Sequence, residues 1–196
     1  DLGFGRPDFW AVARLSWFPI LTLSPFYAIA FAIGLPPDRA LVFLAVNTTL
    51  IALSEEWMFR GILFRALHSH LRLWPAIALA SALFGAIHVL NAFAFGDVSL
   101  AAVQAVAAAM TGVLLVALML RTGSIWPSVI YHMVWNFGVL LVAYETANYP
   151  QPEGPLPLSA YTLPMLIVLP NFLFGLILLR KLPNVPMRKA FGNEPD

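Results

Sequence analysis

The 196-residue chain has no cysteine and very little charge. Without cysteine there can be no disulfide, no Cys-ligated zinc and no thiol nucleophile. Asp, Glu, Lys and Arg make up 11% of the residues, where a soluble domain carries about 25%. That is too little polar surface to cover a water-soluble globule. With 60% of the residues hydrophobic, the bilayer is the expected solvent. Eleven basic residues against ten acidic ones leave a net charge of +1, so there is no electrostatic footprint for nucleic acid. There is no internal repeat, and the one biased tract, the Ala-rich AAVQAVAAAM, suits close helix packing. The chain opens on Asp1 rather than Met, as a fragment of a longer protein would.

A membrane-spanning helix needs roughly 20 mostly apolar residues. Six stretches qualify: about Leu15–Leu35, Ala40–Leu67, Trp74–Phe95, Leu100–Leu120, Ser124–Tyr144 and Leu158–Leu179. Short polar punctuators part them, and the Pro-rich NYPQPEGPLP precedes the last. The expected fold is an all-α polytopic bundle, one membrane domain over residues 1–196. Basic residues set its topology. With six spans, Arg6, Arg14, Arg65, Arg72, Arg121, Arg180, Lys181, Arg188 and Lys189 fall on one side. Only Arg39 falls on the other, with Asp38, Asp97, Glu145 and Glu153. The positive-inside rule then puts both termini in the cytoplasm.

Few ionisable groups remain inside the spans: Glu55, Glu56, Arg60, His88 and His132. A charge in hydrocarbon costs several kcal/mol, so such groups pair and face a protein or water-filled interior. Glu56 and Arg60 are one helical turn apart and can form an ion pair. Glu55 is rotated by about 100° from Glu56 and can point elsewhere, toward a cavity. His132 and Asn136 share a face of the fifth span. If the second, third and fifth spans adjoin, two Glu, two His and one Asn converge at one embedded site. Each residue alone has a plainer reading. A Glu–Arg pair can be structural, a single His is more often a packing residue, and Asn136 could simply join helices. His68 and His70 read as solvated or lipid-facing. Asn47, Thr48, Thr49, Gln104 and Asn171 read as polar packing, and Trp10, Trp17, Trp74 and Trp126 as interface anchors.

The joint pattern goes further. Glu55-Glu56-Trp57-Met58-Phe59-Arg60 reads EExxxR, Phe84 to His88 reads FxxxH, and His132 to Asn136 reads HxxxN. In this order, on separate apolar spans, the motifs resemble the signature of the CPBP family, the CAAX protease and bacteriocin-processing family. That family includes the endopeptidase that trims prenylated CAAX proteins. The resemblance covers about residues 40–144, the expected catalytic core. It implies an intramembrane endopeptidase acting on a membrane-associated protein or peptide. Glu55 and His88 would activate the attacking water, and His132 and Asn136 would stabilise the oxyanion. Glu56 would support the site, with Arg60 and Phe84 holding it. The residue chemistry agrees, since hydrolysis needs a base for water and donors aimed at the developing oxyanion.

The family is also called a metalloprotease family, and two His plus a Glu could bind zinc with one position open. In that case Glu55, His88 and His132 would be the ligands. There is no HExxH, and a Glu-activated water uses every motif residue without an ion, so the metal-free reading is preferred and the cofactor stays open. A proton-coupled transporter using the same residues as a relay is an alternative. Against it, the chain shows no paired halves with matching interrupted helices. A catalytically silent immunity or scaffold protein of the same fold is another. The expected location is a bacterial plasma membrane.

Overall fold

The computed structural model describes residues 3–147 and 156–185. Most of the Pro-rich loop before the last span, with Glu153, lies outside the described residues, as do Arg188 and Lys189. All regular secondary structure among the described residues is helical, with no strand. Six helical stretches are long and apolar enough to cross a membrane: Phe9–Ile33, Asp38–His70, Leu73–Asn91, Val98–Thr122, Trp126–Thr146 and Leu158–Leu179. They are the six expected spans, with ends moved by a few residues.

The local causes are legible. Helix α1 (Phe9–Ile33) starts before the apolar run because the Asp8 carboxylate caps it, accepting from the Ala11 N–H at 2.6 Å. Arg14 therefore sits inside the helix, where its Nε donates to the Trp10 carbonyl. Helix α2 (Asp38–Glu56) runs into a π-helical stretch, Trp57–Leu63, and then into α3 (Phe64–His70). Helix α4 (Leu73–Ile87) tightens into a 3₁₀ turn, His88–Asn91, followed by the single turn α5 (Ala92–Phe95). Asp97 caps α6 (Val98–Thr122), accepting from the Ser99 and Leu100 N–H groups, and Gly123 ends it at φ 68°. Pro127 opens α7 (Trp126–Thr146), where its missing N–H costs nothing. Helix α8 (Leu158–Leu179) continues through Pro164 and Pro170.

Helix α6 is the axis of the bundle. It packs on α4 and α8, and α7 lies against α1, α2 and α6. Its stretch from Thr111 to Met119 is wholly buried. Without a hydrophobic force between helices in lipid, close packing of small residues holds spans together. Gly85 brings α4 against the Ala105 carbonyl and Ala109 of α6. At Gly175 a Cβ would stand 2.9 Å from the Leu114 Cα, which is backbone that cannot yield. Gly175→Ala is therefore expected to push α8 off α6 and cost about 1–3 kcal/mol, read as a lowered thermal midpoint in detergent. A second tie is polar. Buried Asn171 of α8 donates from Nδ2 to Thr22 Oγ1 of α1 and to the Tyr131 hydroxyl of α7, both at 2.8 Å. The outside of the bundle exposes large apolar side chains such as Phe31, Phe43 and Leu166, as a lipid-facing surface should.

His68 departs from expectation. It is buried, its ring lies 5.4 Å from that of Phe64, and its Nε2 is 3.0 Å from the Val185 carbonyl. The chain after α8 folds back over the end of α3, a long-range contact that local sequence does not signal.

Candidate active site

The second, third and fifth spans supply the site. The structure brings Glu55, Glu56, Arg60, Phe84 and His132 into one contact network. It places His88 and Asn136 with His132 in the wall of an adjoining cavity.

Glu56 is the centre of the network and is fully buried. Its Oε1 accepts from Arg60 Nη1 at 3.0 Å and faces His132 Nδ1 at 2.9 Å. A carboxylate oxygen can only accept here, so the His132 Nδ1–H donates and Nε2 is left for other work. Nε2 is 3.8 Å from Glu55 Oε2. The sequence suggested that Glu55 points away from Glu56. Instead the two carboxylates meet opposite edges of one imidazole. The unwinding that starts at Trp57, directly after the pair, makes this a π-helical junction, a feature common at functional sites.

The buried guanidinium of Arg60 has two further supports. It donates from Nη2 toward the Gly112 carbonyl at 3.4 Å, and its Cζ lies 4.1 Å over the Phe84 ring. The Phe84 ring is also edge-on to Phe59, His88 and His132, at centroid distances of 5.1, 5.0 and 5.8 Å. Phe84 thus sets the spacing between the guanidinium and both imidazoles. Gly112 is the residue that sequence reading missed. A Cβ there would stand 3.3 Å from Arg60 Nη2 and 3.2 Å from Ser81, so glycine lets the guanidinium reach the α6 backbone.

His88 stands where α4 tightens into 3₁₀. Its Nδ1 is 2.8 Å from the Phe84 carbonyl. The carbonyl fixes Nδ1 as the donor, so Nε2 carries the lone pair. His88, His132 and Asn136 line a cavity of about 420 Å³ between α4, α6, α7 and α8, whose remaining wall is largely apolar. Asn136 hydrogen-bonds to no other described residue, so its amide is available to the cavity. Two acceptor atoms in the network are buried and unpartnered, Glu55 Oε2 and Glu56 Oε2. The Glu55 side chain is 24% exposed, whereas Glu56 is closed off.

The charge count matters in so dry a place. Two carboxylates and Arg60 sum to −1, and one proton on His132 or a carboxyl brings the cluster to zero. Metal binding fits less well. Among the described residues no three His, Asp or Glu side chains form a group that could hold a metal ion. Glu55, His88 and His132 therefore do not stand as a ready ligand set.

Residues 37–138 match the family model for type II CAAX prenyl endopeptidases, Rce1-like. The match spans just over half of the 196 residues and contains all three motifs. The chain belongs to this family. No curated protein and no solved structure matches it. Membership in the Rce1-like family together with six apolar spans makes the chain a multi-pass membrane protein of a CAAX-type protease family.

Proposed function

We propose that the chain is an intramembrane endopeptidase that hydrolyses a peptide bond in a membrane-associated protein or peptide. The observation that carries this reading is the His132 imidazole held between two carboxylates, beside a cavity it shares with His88 and Asn136.

In this reading Glu55 is the base. Its Oε2 has no hydrogen-bond partner and its side chain is partly exposed. The oxygen of a bound water attacks the peptide carbonyl carbon while Glu55 takes one water proton and His88 Nε2 orients the other. The new oxyanion accepts from His132 Nε2–H and Asn136 Nδ2–H. For His132 to donate there it must carry both protons, and the Glu56 carboxylate on Nδ1 balances that charge. This is the protonation state that brings the cluster to zero. Collapse of the tetrahedral intermediate breaks the C–N bond, and the proton on Glu55 passes to the leaving amine. Arg60 and Phe84 hold Glu56 and the two rings in place.

No step passes through a metal. A strong chelator is therefore expected to leave the cleavage rate of purified protein unchanged. Loss of activity restored by zinc would contradict the reading. The asymmetry of basic residues supports cytoplasmic termini, and a bacterial plasma membrane is the location we infer. The function itself is tested with purified protein in proteoliposomes, given quenched peptides that carry a membrane-anchored segment. Product masses should locate one cut bond. Peptide-dependent proton flux without cleavage would favour a transporter instead.

A further inference from the structure

Gln104 reads from sequence as polar packing, but it stands in the wall of the cavity that holds His88, His132 and Asn136. Its Oε1 accepts from Asn91 Nδ2 at 2.8 Å. Asn91 ends the 3₁₀ turn that begins at His88. Side chains three apart on a 3₁₀ helix eclipse one another, so Asn91 and His88 share the face turned to α6. Gln104 thus stands in the cavity wall, tied to the turn that carries His88.

The hydrogen-bond inventory gives the pair a ligand. Two primary amides that bond once use one donor and one acceptor. The Gln104 Nε2–H groups and the Asn91 carbonyl oxygen stay uncommitted. This balance is the same whichever way round the two amides are assigned. A donor beside an acceptor is the complement of a peptide group. The cavity wall around Gln104 is otherwise largely apolar, and there a hydrogen bond missed on binding is costly.

We propose that Gln104, oriented by Asn91, is a substrate-binding residue that holds the backbone of the peptide in the cavity beside His88. This rests on the endopeptidase reading and adds to it a specificity for extended chain rather than for a side chain.

The test is a backbone scan. A membrane-anchored fluorescent peptide that the wild type binds is remade with single amide-to-ester replacements at successive positions. Each ester deletes one N–H and weakens one carbonyl acceptor. Binding by anisotropy and cleavage are both read for wild type, Gln104→Met and Asn91→Leu, each first shown to be folded by its melting profile. One ester position should weaken wild-type binding about tenfold. The same position should cost Gln104→Met nothing, because the partner is already gone. A merely structural Gln104 would lower binding of every peptide alike and leave the scan unchanged in shape. That result, in either variant, overturns the subsite while leaving the protease reading intact. A Gln104-dependent position in binding with no cleavage by wild type would keep the subsite and overturn the protease reading. Absence of binding to any peptide would overturn both.

Discussion

Glu56→Ala is expected to unfold much of the protein on extraction into detergent. The substitution removes the partner of Arg60 at 3.0 Å and of His132 at 2.9 Å in one step. What remains is a guanidinium 1% exposed, held only by one long hydrogen bond and a ring face. Removing one member of a buried pair costs about 3–5 kcal/mol because the survivor is left charged and dry. Total stabilities of about 5–15 kcal/mol give little room for that. The measurement is thermal melting in detergent, followed by size-exclusion recovery. The double substitution Glu56→Ala with Arg60→Met should recover most of the midpoint, since replacing both partners of a buried pair by apolar groups is often neutral. A double variant as unstable as the single one would mean that the loss comes from packing or from His132, not from an orphaned charge.

Glu55→Gln is expected to do the opposite, sparing the fold and removing the activity. Among the described residues the Glu55 side chain has no hydrogen bond to lose, and its ion-pair contact with His132 is 3.8 Å long. The amide matches the carboxylate in volume but cannot take a proton from water. General-base catalysis contributes about 10²–10⁴-fold, so the cleavage rate should fall by about that much with the melting midpoint unchanged. The pairing of these two results is informative. Adjacent glutamates on one helix would then divide the labour, Glu56 carrying structure and Glu55 chemistry. A midpoint that fell as far for Glu55→Gln as for Glu56→Ala would place both in structure.

The spans were readable because hydropathy alone decides what crosses a bilayer, and all six appear. Their ends were not, because caps decide those. Asp8 starts α1 ahead of the apolar run, and Arg14 lies within the helix although its charge argues against it. The candidate site was readable as a cluster because charge is so scarce here that Glu55, Glu56, Arg60, His88 and His132 stand out unaided. Their arrangement was less so. Periodicity on an ideal helix separates Glu55 from Glu56 by about 100°, but the His132 imidazole presents one nitrogen to each. Gly112 and Ser81 were silent because each matters only through a contact between spans. The burial of His68 depends on a residue 117 positions away. Asn91 escaped because its partnership with Gln104 follows from a change of helix type at His88.

The central claim is that this cluster hydrolyses peptide bonds with Glu55 as the base. The most direct measurement is the cleavage rate of one quenched, membrane-anchored peptide in proteoliposomes. Wild type and Glu55→Gln would be run side by side at matched folded concentration, each with and without chelator. The account predicts cleavage at a single bond by wild type, unaffected by chelator, and a loss of about 10²–10⁴-fold in the variant. Equal cleavage by both proteins, or cleavage that vanishes with chelator and returns with zinc, would contradict it.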